Sequence, residues 1–286
     1  MNRERFLDLT FMGCSYGFPQ ADTVVFGAPF DGTVTFRPGT RFAPARMRQD
    51  FIGLETYSPY QDVDLEEDAR ICDLGDLDLP FGDKDRALAE IARATADIVE
   101  AGKKPFMIGG EHLVSLPAVR EVHRRYPDLC LIHLDAHCDL RRDYLGEPLS
   151  HSTVIRRIWD FLGDGRIFQH GIRSGTREEF AWAEDGHTTM ERYLAAAVPR
   201  SREAIGNRPV YLTVDLDVLD PSVFPGTGTP EPGGISFREL LGALLSLRGM
   251  NIVGADVVEL SPPYDPTGAS TAVACKVMRE ILLLMA

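Results

Sequence analysis

Seven short apolar runs rich in β-branched residues recur along the chain, at 23–26, 69–74, 105–108, 129–134, 166–172, 209–214 and 251–258. Each is apolar at odd and even positions alike, so each predicts a strand buried on both faces, as in a parallel sheet. Between the runs the apolar spacing changes to steps of three and four. After Asp83, a side chain suited to capping a helix start, Leu88, Ile91, Thr95 and Ile98 line one helical face until Gly102 ends it. The same spacing predicts helices over 114–126, 153–162, 236–247 and 269–284. Strands and helices in alternation predict a three-layer α/β/α fold with a mainly parallel central sheet. No repeat, low-complexity linker or composition break interrupts the 286 residues, so residues 1–286 are expected to form a single domain.

Composition leaves this picture unchanged, at 44% hydrophobic and 26% charged residues. Charge narrows the partners. With 43 acidic against 30 basic residues the net charge is −13, and the chain lacks the basic footprint that phosphate neutralisation requires. Nucleic acid and membrane surfaces are therefore not expected as partners, whereas cations are. The five cysteines (Cys14, Cys72, Cys130, Cys138, Cys275) are scattered and form no CxxC pair. They argue against a disulfide framework or a thiolate zinc cluster and for a reducing compartment. No run of 18 apolar residues exists, and Asp8 falls where a signal peptide would need its apolar stretch. The expected location is the cytoplasm.

Four of the predicted strands run into polar residues. Phe106-Met107-Ile108 leads to Gly109-Gly110-Glu111-His112, and Leu131-Ile132-His133-Leu134 leads to Asp135-Ala136-His137-Cys138-Asp139. The run at 210–214 leads to Asp215-Leu216-Asp217, and that at 253–258 to Glu259. In parallel neighbours these ends converge, which is where open α/β sheets bind ligands. If strand parity continues, Asp135, His137 and Asp139 share a face, as do Asp215 and Asp217, while Cys138 turns away. A single Asp or His at a strand end serves as readily as a helix cap. Four carboxylates and two imidazoles together would repel or stay protonated without cations. Six ligands exceed one zinc site, and an oxygen-rich set with some imidazole suits two divalent ions, manganese above a soft-ligand metal. His133 lies a pleat deeper, where a supporting hydrogen bond is the expected role.

These segments resemble the signatures of the ureohydrolase family, the arginases and agmatinases. The third signature stands here as Asp215-Leu216-Asp217-Val218-Leu219-Asp220-Pro221, and the likeness runs from Arg37-Pro38-Gly39-Thr40-Arg41 through Gly226-Thr227-Gly228-Thr229-Pro230 to Val257-Val258-Glu259. The resemblance implies an arginase-like fold with two Mn²⁺ per subunit. His112, Asp139, Asp135 and Asp215 would hold one ion, and His137, Asp135, Asp215 and Asp217 the other. It also implies attack by a metal-bridging hydroxide on a guanidinium carbon, with Glu259 as guanidinium anchor and His151 as proton shuttle. Family members commonly assemble as homotrimers or homohexamers.

Arginases carry an Asn- and Ser-rich grip for the substrate's α-carboxylate, and residues 140–150 here lack it. Glu147, four residues before His151, is expected to favour an amine tail, and Glu111 leans the same way. Within the family the sequence is most similar to bacterial agmatinases, which release urea and putrescine from agmatine. Arg141 and Arg142 cut against this, since either could pair with a carboxylate and make guanidinobutyrate or guanidinopropionate the substrate, but the favoured reading places both in solvent or in a subunit interface; arginine is a further alternative. A single-zinc deacetylase of the same wider fold conflicts with the six-ligand set. A catalytically silent polyamine- or metal-binding protein is the reading from another class. The glycine-rich stretch 226–234 lacks a P-loop ending and is expected to be a loop at the pocket mouth.

Overall fold

The computed structural model describes residues 9–286; Asp8, weighed above against a signal peptide, lies outside them. In chain order the strands are β1 (Thr23–Ala28), β2 (Tyr57–Ser58), β3 (Val63–Asp64), β4 (Ile71–Asp76), β5 (Lys104–Gly109), β6 (Cys130–Leu134), β7 (Ile167–His170), β8 (Thr189–Glu191), β9 (Val210–Asp215) and β10 (Ile252–Val258). The helices are α1 (Ala43–Asp50), α2 (Leu65–Asp68), α3 (Lys84–Glu100), α4 (Ser115–Arg125), α5 (Val154–Leu162), α6 (Arg177–Trp182), α7 (Leu194–Ile205), α8 (Phe237–Ser246) and α9 (Ala269–Met285). Apart from a small β2–β3 hairpin, the strands form one sheet in the order β4-β1-β5-β10-β9-β6-β7-β8, and every pair in it is parallel.

Helices cover both faces, as the doubly apolar strands require. Alternate strand residues divide between two cores. Val25, Phe106, Ile132 and Leu212 face α1, α7, α8 and α9, while Val24, Met107, Leu131 and Tyr211 face α3, α4 and α5. Asp83 caps α3 as its position predicts, its Oδ1 accepting from the Arg86 N–H at 3.0 Å. All five cysteines are free and buried. No described helix is long and apolar enough to cross a membrane.

One polar cluster links the periphery to the sheet's carboxyl end. Asp265 Oδ2 accepts from the Ser270 N–H at 2.7 Å and its hydroxyl at 2.6 Å, in the first turn of α9. Ser270 Oγ accepts from the Gly226 N–H at 3.0 Å and so ties down the loop after β9. Burial opposes ionisation of Asp265, but the hydrogen bonds from Ser270 and Thr267 outweigh it and draw its pKa down to about 2. Asp265→Ala should cost about 1 kcal/mol at neutral pH, a fall of roughly 2 °C in melting temperature. A depressed carboxyl pKa stabilises above the ordinary value, so the difference from wild type should shrink as pH falls from about 4 to about 2. Thermal melts of both proteins across that window provide the check.

Candidate metal centre

The site-bearing strands β5, β10, β9 and β6 are consecutive neighbours in the sheet, so His112, Glu259, Asp215 and the 135–139 segment meet at one end of it. Gly110 makes this possible on the β5 side. A Cβ there would lie 1.9 Å from the Phe30 carbonyl oxygen, so only glycine admits the loop after β1 so closely.

The residues fall into two groups around Asp135. His112 Nδ1 lies 3.1 Å from Asp135 Oδ2, 3.3 Å from Asp215 Oδ2 and 3.4 Å from Asp139 Oδ2. His137 Nδ1 lies 3.0 Å from Asp217 Oδ2 and 3.5 Å from Asp135 Oδ1. Asp135 therefore turns one oxygen toward each histidine. Asp215 stands with the His112 group, while its Oδ1 accepts the Asp217 N–H at 2.9 Å.

Strand parity put Asp135, His137 and Asp139 on one face and Asp215 with Asp217 on another, whereas the structure parts His137 from Asp139 and divides Asp215 from Asp217 between the two groups. β6 stops at Leu134 and β9 at Asp215, and Asp217 lies in a 3-10 turn, Leu216–Val218. Asp139 and Glu259 have φ of +54° and +66°. The left-handed region costs a non-glycine residue about 1 kcal/mol, strain of a kind that gathers at functional sites.

The tautomer of His112 tests whether cations fit. Thr213 Oγ1 donates its one proton to Asp256 Oδ1 at 2.6 Å, so it must accept from His112 Nε2 at 2.9 Å. Nδ1 is left as a bare lone pair, buried and without a hydrogen-bond partner, facing three carboxylates. Electron-rich atoms so arranged need a positive charge between them. A proton is one solution: burial alone would lower the His112 pKa, but Asp135 and Asp215 hold it well above the usual imidazole range. A divalent ion is the other, and it removes a second conflict. Burial and the charge of Asp135 raise the Asp139 pKa well above normal, and burial with Asp217 and Asp135 does the same to Asp215. Asp135 moves the opposite way: despite burial, its histidine neighbours hold it well below normal. Two overlapping sets of side chains could each hold a metal ion, their ligand atoms lying within 4.8 Å of one another: His112, His133, Asp135 and Asp139 in one, and Asp135, His137 and Asp217 in the other.

Beside them is a cavity of about 290 Å³ whose wall includes His112, His137, Asp139, Asp215, Glu259 and His151. Glu259 Oε1 accepts the His112 N–H at 2.8 Å. Burial raises its pKa to about 7, against the pull of that bond. His151 is pushed down to about 4 by burial and by the nearby His137 and His112, so its ring is neutral at physiological pH. Its main-chain N–H donates to Thr33 Oγ1 at 3.1 Å, and Thr33 in turn donates to both oxygens of Glu111, through its main-chain N–H and its hydroxyl. Glu111 is thus a buried support beneath the site and not part of its rim.

Glu147 departs from expectation. The structure does not bring it to the cavity: Lys84 on α3 holds its carboxylate at 2.5 Å, and the Leu149 N–H bonds the same oxygen. Arg141 does reach the cavity wall, with its Nε 3.6 Å from Glu179 Oε2 and its guanidinium over the Tyr144 ring at 4.6 Å. Arg142 lies outside, along a neighbouring depression. Cys138 is buried but lines the cavity.

Several supports were not anticipated from sequence. Arg173 donates to the main-chain oxygens of Asp217, Val218 and Glu231, pinning the loop after β9. Thr229 Oγ1 donates to Asp217 Oδ2 at 3.2 Å. Asp256 gave a signal, as a lone carboxylate inside the apolar β10, in register with Thr213 on β9.

Comparison with known proteins agrees with this geometry. The arginase family matches residues 21–284. The chain is 45% identical to the agmatinase of Bacillus anthracis and 44% to that of Bacillus subtilis, in each case over 98% of this chain and 97% of the relative. The crystal structure of the agmatine ureohydrolase of Thermoplasma volcanium superposes with a TM-score of 0.89 at 32% identity, covering 99% of this chain and 96% of that one. With the fold, the converging strand ends and nearly full-length identity all in agreement, the chain belongs to the arginase family of ureohydrolases.

Proposed function

We infer that the protein hydrolyses agmatine to putrescine and urea, using two Mn²⁺ ions. The observation that carries this reading is Asp135, which turns one carboxylate oxygen toward each histidine-centred group beside the Glu259-lined cavity. The Bacillus relatives, both agmatinases, support agmatine as the substrate.

His112, Asp139, Asp135 and Asp215 are assigned to one ion, and His137, Asp217, Asp135 and Asp215 to the other. When bound, the ions supply Lewis acidity and a water acidic enough to act as a nucleophile at neutral pH. Four aspartates balance two divalent charges, which leaves the Glu259 carboxylate as the excess charge that meets a guanidinium. A carboxylate matches the planar N–H fork of that group and fixes its carbon in place. His151 has Nδ1 on the Thr33 side, 3.4 Å from the hydroxyl, which leaves Nε2 of the neutral ring to take up a proton released by the attacking water and pass it to the departing amine. Thr33 and Glu111 hold the His151 main chain in position.

Arg141 supports a second reading, since a free guanidinium on the cavity wall would draw a carboxylate tail. Glu179 beside it and the Tyr144 ring beneath it temper that charge. Urea release from agmatine, arginine, guanidinobutyrate and guanidinopropionate, each with Mn²⁺ present, separates the two. Agmatine is expected to lead in kcat/KM by about tenfold or more, some 1.4 kcal/mol. A lead for guanidinobutyrate would replace the agmatine reading with a guanidino-acid one, and no urea from any of the four would support the silent binder.

A further inference from the structure

A line of buried polar side chains runs under the sheet's carboxyl end and terminates on two of the aspartates. Gln169 on β7 is the register partner of His133 on β6, and both are fully buried. Thr188 Oγ1 donates to Gln169 Oε1 at 2.9 Å, which fixes the orientation of the carboxamide. Its Nε2 then has two protons to place. One goes to His133 Nδ1 at 3.1 Å and the other to the Cys138 carbonyl oxygen at 2.8 Å.

Both bonds bear on a ligand. With Nδ1 accepting, His133 carries its proton on Nε2 and donates it to Asp135 Oδ2 at 2.7 Å. The Cys138 carbonyl belongs to the peptide that enters Asp139, the residue with φ of +54°. His133 also lies close enough to His112, Asp135 and Asp139 to resemble a ligand itself. Its two ring nitrogens are both engaged, however, one by Gln169 and one by Asp135.

We propose that Gln169 is a positioning residue for the metal centre. Through His133 it aims Asp135, and through the Cys138 carbonyl it holds Asp139 in its left-handed turn. One carboxamide thereby sets the spacing of two carboxylates in the His112 group. The proposal rests on the two-metal reading above.

The test is Mn²⁺ content and affinity, measured by metal analysis and chelator competition on the purified full chain, with circular dichroism to verify folding. Wild type should bind two ions; failure to bind any would overturn the two-metal reading itself. Gln169→Leu and His133→Leu should bind Mn²⁺ about 10- to 100-fold more weakly, the usual effect of losing a partner that orients a ligand. His133→Gln, whose amide reaches the Nε2 position, should recover most of that affinity and still bind two ions. Wild-type affinity in folded Gln169→Leu would overturn the proposal, and a drop to one ion in His133→Gln would make His133 a ligand and overturn it too. Should Gln169→Leu not fold, Thr188→Val decides. This variant keeps the side-chain shape but frees the carboxamide, and affinity should fall about threefold; an unchanged value would overturn the proposal.

Discussion

Asp215→Asn is expected to lower urea release from agmatine by on the order of 10³-fold or more, while making the metal-free protein more stable than metal-free wild type. The loss follows from the several kcal/mol that bound divalent ions contribute to a charged transition state, each 1.4 kcal/mol being tenfold. The gain follows from the charges around Asp215. Asn Oδ1 can keep the bond from the Asp217 N–H, while a buried carboxyl crowded by Asp217 and Asp135 gives way to a neutral amide. Removing that buried, repelled acid is worth about 1 kcal/mol, or roughly 2 °C in melting temperature. Mn²⁺ should reverse the ranking. Saturating metal adds about 2.7 kcal/mol per site at a hundred times Kd, and wild type gains it at both sites. Melting temperatures with EDTA and with Mn²⁺, alongside urea assays, check each part. A variant less stable than wild type in EDTA would show that Asp215 is not under electrostatic stress.

Glu259→Gln should reduce kcat/KM for agmatine by about 10²- to 10³-fold with both metal ions still bound. Gln retains an oxygen to accept the His112 N–H, so the backbone turn at φ +66° keeps its anchor. On the proposed reading the variant loses the charge that would pair with a guanidinium, and removing one partner of a buried charge pair costs about 2–5 kcal/mol. Because that pairing begins in the bound substrate, much of the loss should appear in KM. Steady-state kinetics with metal analysis give the result. A fall in metal content would move Glu259 from substrate anchor to support of the metal centre.

The sheet was largely readable from sequence because its central strands are buried on both faces, so runs such as 105–108 and 209–214 are apolar at odd and even positions alike. β8 escaped because Thr189, Met190 and Glu191 form a short edge strand with no fully buried residue. α1 escaped because its buried face depends on Arg48, which pairs with Asp73 at 2.7 Å and with Asp76. No periodicity announces a buried arginine. α7 carries Pro199 within it, which hid its pattern. At the site, residue type proved a better guide than conformation. The two-residue spacing of Asp135 and His137 suggested an extended strand, whereas turns supply the same convergence. Glu147 lies away from the cavity because its partner, Lys84, 63 residues earlier, is chosen by tertiary packing. Gln169 was invisible for the same reason, since its importance lies entirely in what β6 places opposite it.

The strand order sets a timetable for the protein's synthesis. β10 is the last strand in the chain, yet it sits in the middle of the sheet between β5 and β9. Until residues 252–258 have left the ribosome, β10 is not there to join β4-β1-β5 to β9-β6-β7-β8. Unpaired parallel edges are slow to close and prone to pair wrongly. Glu259 follows directly on β10, so it reaches the cavity wall only with this last strand.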